Sequence, residues 1–266
     1  MSDKTLLSFI PGFDDAMHHA GESLGAVYPS LVQHEKELNL TPGIMLLIVA
    51  VVVLGLVFAA RGKMKDVDKA VIPDDTFTAR TFFELFLDTF MTLMTDIMGE
   101  KNAKRFLPLI GTCGVLIFFS NFLGLVPGFV PPTDNLNVTL TLALVIFVST
   151  HVVGVMTNGL GHLAHMANPV GEWWGWFLAP LMLPIELIGH LARPVSLSLR
   201  LMGNMIGDHK VLGIFLGLVA IPIVYPVPIL MLGSIVCVVQ TAVFCLLSMI
   251  YIGLALEEQH HEEGGH

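Results

Sequence analysis

Long uncharged stretches alternate with short polar ones along most of this chain. Residues 43–60 (GIMLLIVAVVVLGLVFAA) carry no charge. Eighteen apolar residues are about the fewest that cross a hydrocarbon core ~30 Å thick. Residues 106–130, 137–160, 174–192, 211–221 and 227–256 are strongly apolar as well. The pattern predicts an all-α polytopic membrane protein, because lipid leaves backbone groups no partner outside their own segment. From Trp174 to the prolines at 222–228 the chain is nearly fifty residues long. As a helix that is ~70 Å, more than twice the hydrocarbon thickness. This segment must tilt strongly, break near Pro184 or Pro194, or run partly along the membrane plane. The return segment 228–256 is also too long to stand upright.

Residues 74–99 show a different pattern. Phe82, Phe86, Phe90, Met94 and Ile97 recur at spacings of three and four, and Arg80, Glu84, Asp88 and Thr92 at spacing four on another face. That is an amphipathic surface helix, with its apolar face against lipid or a partner's helices. Three parts follow from these readings: an extramembrane segment over 1–42, a membrane domain over 43–258, and a polar tail over 259–266.

Composition agrees. The chain is 54% hydrophobic and only 13% charged, with mean hydropathy +0.76, whereas soluble domains are nearer 25% charged. Eight of the thirteen Lys and Arg lie in residues 61–105, which puts that connection in the cytoplasm and the N-terminus outside. An even number of later crossings leaves the C-terminal tail in the cytoplasm. Trp173, Trp174 and Trp176 suit a membrane–water boundary, with Glu172 beside them. Cys113, Cys237 and Cys245 sit in apolar segments without CxxC spacing and read as filler. The start of the chain lacks the pattern of a cleaved signal peptide, and the absence of a transit peptide points to a bacterial inner membrane.

Within the longest segment, Glu186, His190, Arg193, Leu197, Arg200, Asn204 and Asp208 are separated by 4, 3, 4, 3, 4 and 4 residues. Those steps keep them on one helical face. Arg193 and Arg200 are two of only five arginines in the chain. Each costs ~2.5–3.5 kcal/mol at mid-bilayer on insertion scales. Such a stripe marks an ion or proton path, or else a set of polar groups gluing helices together. Gln240, deep in VCVVQTAVF, has the same two readings.

The stretch RPVSLSLRLMGNM, followed forty residues after Arg200 by Gln240 in VQTAVFCLLSMIYIGLALEE, resembles subunit a of the F-type ATP synthase membrane sector. SNFLGLVPG and NVTLTLAL match as well, and the resemblance runs from the first span to Glu258. The first forty residues carry no useful match. The resemblance implies an outer span, a surface helix, a transmembrane hairpin and two long, strongly tilted helices. It also implies a non-catalytic stator beside a rotating ring of carboxylate-bearing c subunits, with peripheral-stalk b subunits, other ATP synthase subunits and the lipid bilayer as partners. No cofactor and no nucleic acid are implied. The family's essential arginine falls on Arg200, Asn204 and Gln240 line the ring contact, and Glu186 lies on one of two aqueous half-channels. An arginine keeps its charge and favours the ionised form of a passing carboxylate. Glu186 and His190 are then groups that relay protons.

Two positions depart from the family's pattern. His209 stands where an acid or histidine pairs with a complementary group on the last helix, but the partner position is Gly233. Asp208 is the nearby acid able to serve instead. A hairpin folded about residue 225 would also level Arg200 with residue 250 and not with Gln240. Elsewhere, His151, His162 and His165 are candidates for an ion path or a metal, Asp134, Asn135 and Asn137 for an outer channel mouth or a simple turn, and the tail residues His260, His261 and His266 for a solvated end or a stray metal in vitro. The competing function is a self-contained secondary transporter or channel, which predicts related halves around a midplane site; no internal repeat is present. No nucleophile–base or HExxH constellation points to a membrane enzyme.

Overall fold

The structure, a computed structural model, describes Asp15, His19 and residues 40–63, 78–126, 129–158, 175–218 and 226–257. Most of the N-terminal segment, residues 64–77, His162, His165, Glu172, Trp173, Trp174 and the C-terminal tail lie outside the described residues. The helices are α1 (Thr41–Lys63), α2 (Ala79–Leu123), α3 (Leu136–Asn158), α4 (Gly175–Leu218) and α5 (Pro226–Glu257), with a 3-10 turn at Pro132–Asp134. No strand occurs among the described residues. Four stretches among them are long and apolar enough to cross a bilayer: Thr41–Ala60, Arg80–Leu123, Leu136–Thr157 and Leu230–Leu256. The protein is all-α and polytopic, as the pattern predicts.

Hydroxyls inside the apolar helices bond to their own backbone one turn back. Thr150 donates to the Ile146 carbonyl at 2.9 Å and Ser248 to the Phe244 carbonyl at 2.8 Å, so each is satisfied without water. α4 runs through both Pro184 and Pro194 as one helix of 44 residues, ~66 Å long. Of the options open for that segment, a break at proline is therefore ruled out.

The chain divides into two compact units. One is drawn from Met1–Ile72, Val115–Val138 and Met202–Gln240, the other from Pro73–Gly114, Thr139–Leu201 and Thr241–His266. In the first, α1 packs beside the 3-10 turn. The turn is held by the Thr133 hydroxyl, which donates to Asn121 Oδ1 at 2.8 Å where both residues are buried.

In the second unit α2 is interrupted at Gly99, whose φ of 77° and ψ of 158° are not helical. The two sides of α2 then fold back on each other. A Cβ on Gly114 would meet the Phe86 ring at 3.1 Å, and one on Gly111 would meet Leu87 at 3.6 Å. Phe90, Met94 and Met98 are buried, and the Phe86 and Phe90 rings lie 4.4 Å apart. A Cβ on Gly253 of α5 would meet Ile97 at 3.4 Å. The apolar face expected to meet lipid or a partner's helices is therefore packed on this chain's own helices. Glu84, Asp88 and Thr92 stay exposed, while Arg80 is buried and bonds Glu84 at 2.6 Å. The amphipathic period was sound; what covers the apolar face depends on a reversal that one glycine permits. All three cysteines are buried free thiols, in keeping with their reading as filler.

Gly99 occupies a backbone region that is essentially glycine-only, and a Cβ there meets nothing within 4 Å. Gly99→Ala is expected to destabilise the protein by about 1–3 kcal/mol through backbone strain alone. Gly111→Ala, whose Cβ makes ordinary contact, should be nearly silent. Thermal unfolding of both variants in detergent checks this, and equal midpoints would rule out strain at Gly99.

Candidate functional site

The polar stripe of α4 meets different neighbours along its length. In the second unit, His190 Nε2 lies 3.3 Å from Glu186 Oε1, one turn away. The His190 side chain is 12% exposed and that of Glu186 41%. On its other side the His190 ring meets His151 of α3 edge-on, with centroids 5.3 Å apart and planes at 72°. His151 Nδ1 is 2.9 Å from the Phe147 carbonyl. A carbonyl only accepts, so this nitrogen carries the hydrogen and donates it. One helix turn beyond His190, the Arg193 guanidinium lies 5.4 Å over the Tyr251 ring of α5. A cation–π contact of this kind contributes about 0.5–2 kcal/mol. Thr150, His151, His190, Arg193, Pro194 and Tyr251 border a small cavity of about 20 Å³, room for about one water molecule. Leu197 is buried, at 2% exposure.

Arg200 differs from Arg193. It is exposed, and among the described residues its guanidinium makes no hydrogen bond, ion pair or ring contact. Leu199 beside it is exposed as well.

In the first unit, Asn204 Nδ2 donates to Gln240 Oε1 at 2.6 Å. Gln240 is 4% exposed, and its Nε2 is buried without a hydrogen-bond partner among the described residues. Within this unit the Asn204–Gln240 pair is centred on position 222; within the other unit the Arg193–Tyr251 pair is centred on 222 as well. A hairpin symmetric about residue 225 is thus corrected by three positions, and Gln240 stands level with Asn204, one turn along α4 from Arg200.

Asp208 is half-buried and lines a cleft of about 30 Å³ with Gly124, Leu125, Met205 and Gly233. A Cβ on Gly233 would meet Leu125 Cδ2 at 2.6 Å, and one on Gly124 would meet the Pro131 ring at 3.0 Å. The glycines therefore allow close packing beside the carboxylate. His209 has its Nδ1 buried with no hydrogen-bond partner among the described residues, so no complementary group meets that nitrogen there.

The structure brings Glu186 to His190, Asn204 to Gln240 and Asp208 to the Gly233 cleft. It brings in His151, a sequence candidate for an ion path or a metal, and adds Tyr251, which sequence reasoning left out of the site. His151 is visible in the sequence as a titratable group in an apolar span, but nothing in its spacing names His190 as a neighbour. Tyr251 carries no sequence signal at all.

An integral membrane protein with ionisable and amide groups gathered along one long helix is the class these features define. The family described as ATP synthase A chain matches residues 43–253. An ATP synthase subunit a of Sorangium cellulosum (strain So ce56) is 45% identical over 257 residues, 96% of this chain and 96% of that protein. One from Geobacter sulfurreducens (strain ATCC 51573 / DSM 12127 / PCA) is 46% identical over 181 residues, covering 68% of this chain and 76% of the relative. ATP synthase subunit a 1 of Syntrophotalea carbinolica (strain DSM 2380 / NBRC 103641 / GraBd1) is 51% identical over 177 residues, with 66% and 72% covered. The chain belongs to this family, subunit a of the F-type ATP synthase membrane sector, and is an ion-translocating component that works with other subunits of that synthase. The family match begins at residue 43, as expected for a segment the family pattern does not cover, while the Sorangium relative is similar into the first forty residues as well.

If the Asn204–Gln240 bond is made, Asn204→Leu and Gln240→Leu should not add. The double variant is expected to lose less stability than the two single losses together, by about 0.6 kcal/mol, the usual coupling of a hydrogen bond between membrane helices. Thermal inactivation of the detergent-purified complex measures this, and strict additivity would argue against the bond.

Proposed function

We propose that the chain is the non-catalytic stator of the rotary motor, offering two aqueous half-channels to the carboxylates of a c-subunit ring, with Arg200 between them. The observation that carries this reading is the state of Arg200. Its charge cannot be shed, it is exposed among apolar side chains, and no described group of this chain answers it. A guanidinium so placed calls for a counter-charge from another subunit, and a ring carboxylate supplies one. As a carboxylate approaches, the fixed positive charge favours its ionised form, so it releases its ion before the arginine and reloads after it. The same charge repels a cation crossing directly between the channels. The driving force is ~2.3 kcal/mol per elementary charge per 100 mV.

The other stripe residues take roles from their surroundings. Glu186, with its exposed carboxylate, marks one half-channel, and His190 beside it relays protons. Arg193, over Tyr251, orders the wall of that channel. Asn204 is exposed and faces the ring, while Gln240, buried behind it and so corrected from a direct ring contact, holds Asn204 in place through their bond. Asp208 stands in for the acid that Gly233 does not supply, and His209 belongs to the same half-channel. ATP chemistry resides in other subunits, and the peripheral-stalk b subunits hold this one in place. The basic stretch 61–105 supports an inner-membrane orientation with the N-terminus outside and the C-terminus in the cytoplasm.

The test is ATP-driven pumping by membrane vesicles, with assembly followed by copurification of the c ring. Arg200→Ala is expected to assemble and to abolish pumping, and Arg200→Lys to retain only a small part of it. Pumping at the wild-type rate in Arg200→Ala would overturn the assignment.

A further inference from the structure

We propose that His151 of α3 is a proton-relay group, exchanging protons with Glu186 through His190 and the cavity beside Arg193 and Tyr251. The proposal rests on the half-channel reading of Glu186 and names the next groups along it.

Three titratable side chains from two helices converge here. His190 Nε2 is 3.3 Å from the Glu186 carboxylate, and its ring is edge-on to His151 at 5.3 Å. Exposure falls along the first step, from 41% at Glu186 to 12% at His190, so the series leads from the chain's surface inward. At its inner end a cavity lined mostly by apolar side chains has room for about one water, with the Thr150 and His151 side chains on its border. The Thr150 hydroxyl donates to the Ile146 carbonyl, leaving its oxygen lone pairs as acceptors. Pro194 has no N–H to give the His190 carbonyl four residues earlier.

The chemistry of His151 is fixed by its backbone bond. Nδ1 donates to the Phe147 carbonyl, which makes Nε2 the basic nitrogen of the neutral ring. A histidine serving only as helix glue needs nothing more than that bond. This one also meets a second imidazole edge-on and borders a cavity lined by a guanidinium and a phenol. The charged and titratable groups around it are His190 and Arg193 of α4 and Tyr251 of α5. The transfer balances as one proton in and one out. The Glu186 carboxyl gives H⁺ to His190 Nε2, the resulting imidazolium releases H⁺ from Nδ1 to a water in the cavity, and that water protonates His151 Nε2. The reverse sequence restores every group, and no electrons move.

The test uses the intact ATP synthase in inverted vesicles without added sodium. Electrogenic pumping is followed with a membrane-potential dye, because imidazole collapses pH gradients. His151→Leu is expected to assemble, with the c ring copurifying, and to slow pumping about tenfold or more, within what a positioned proton-transfer group contributes. Millimolar imidazole should restore much of that rate while leaving the wild type unchanged. His151→Asn keeps the site polar and carries the same expectation if the leucine variant does not assemble. Wild-type pumping in either assembled variant, or a loss that imidazole does not lift, overturns the relay. Arg200→Ala run alongside separates the two ideas. If it pumps, the stator reading fails; if it is silent while the His151 variants pump normally, only the relay is lost.

Discussion

In an apolar interior an amide without a partner costs several kcal/mol, whereas an amide pair costs little and adds little. The Asn204–Gln240 bond therefore acts through what it forbids. Within their unit, a slip of α5 along α4 would strip the buried Gln240 carbonyl of its partner, so the pair selects one local register among several that leucines and valines alone would accept. Asp208 falls beside Gly233 in the unit that contains this bond, and Arg193 falls over Tyr251 in the other. The functional groups are placed by register more than by local preference.

Two arginines seven positions apart on one helix show how surroundings decide a role. Neither can escape an apolar setting by losing its proton. Arg193 is answered within the chain by the Tyr251 ring, and its charge becomes part of the packing. Arg200 receives no such answer among the described residues. One sequence stripe thus contains an internally settled cation and one that looks outward, a distinction that spacing along α4 does not express.

Local periodicity made the spans, the amphipathic helix and the polar stripe legible, because each depends on residues within a few turns of one another. The length of α4 was legible too. Its continuity through Pro184 and Pro194 was not, since a proline in an apolar helix is compatible with either a break or a straight run. The fold-back at Gly99 escaped because a glycine between two helical patterns looks like an ordinary boundary until its backbone conformation is seen. The pairing of His151 with His190 escaped for another reason. A contact between α3 and α4 joins residues 39 positions apart, and neither helix's pattern encodes the other's rotation.

The burial of all three cysteines has a practical side. Cys113, Cys237 and Cys245 are 5%, 2% and 0% exposed, so water-soluble thiol reagents find little to modify on the native chain. A single reporter cysteine placed on an exposed face, for example at Val239 or Leu199, would be read against a nearly dark background. The native thiols would not have to be removed first, and accessibility along the outer face of α4 and α5 becomes measurable in the working enzyme.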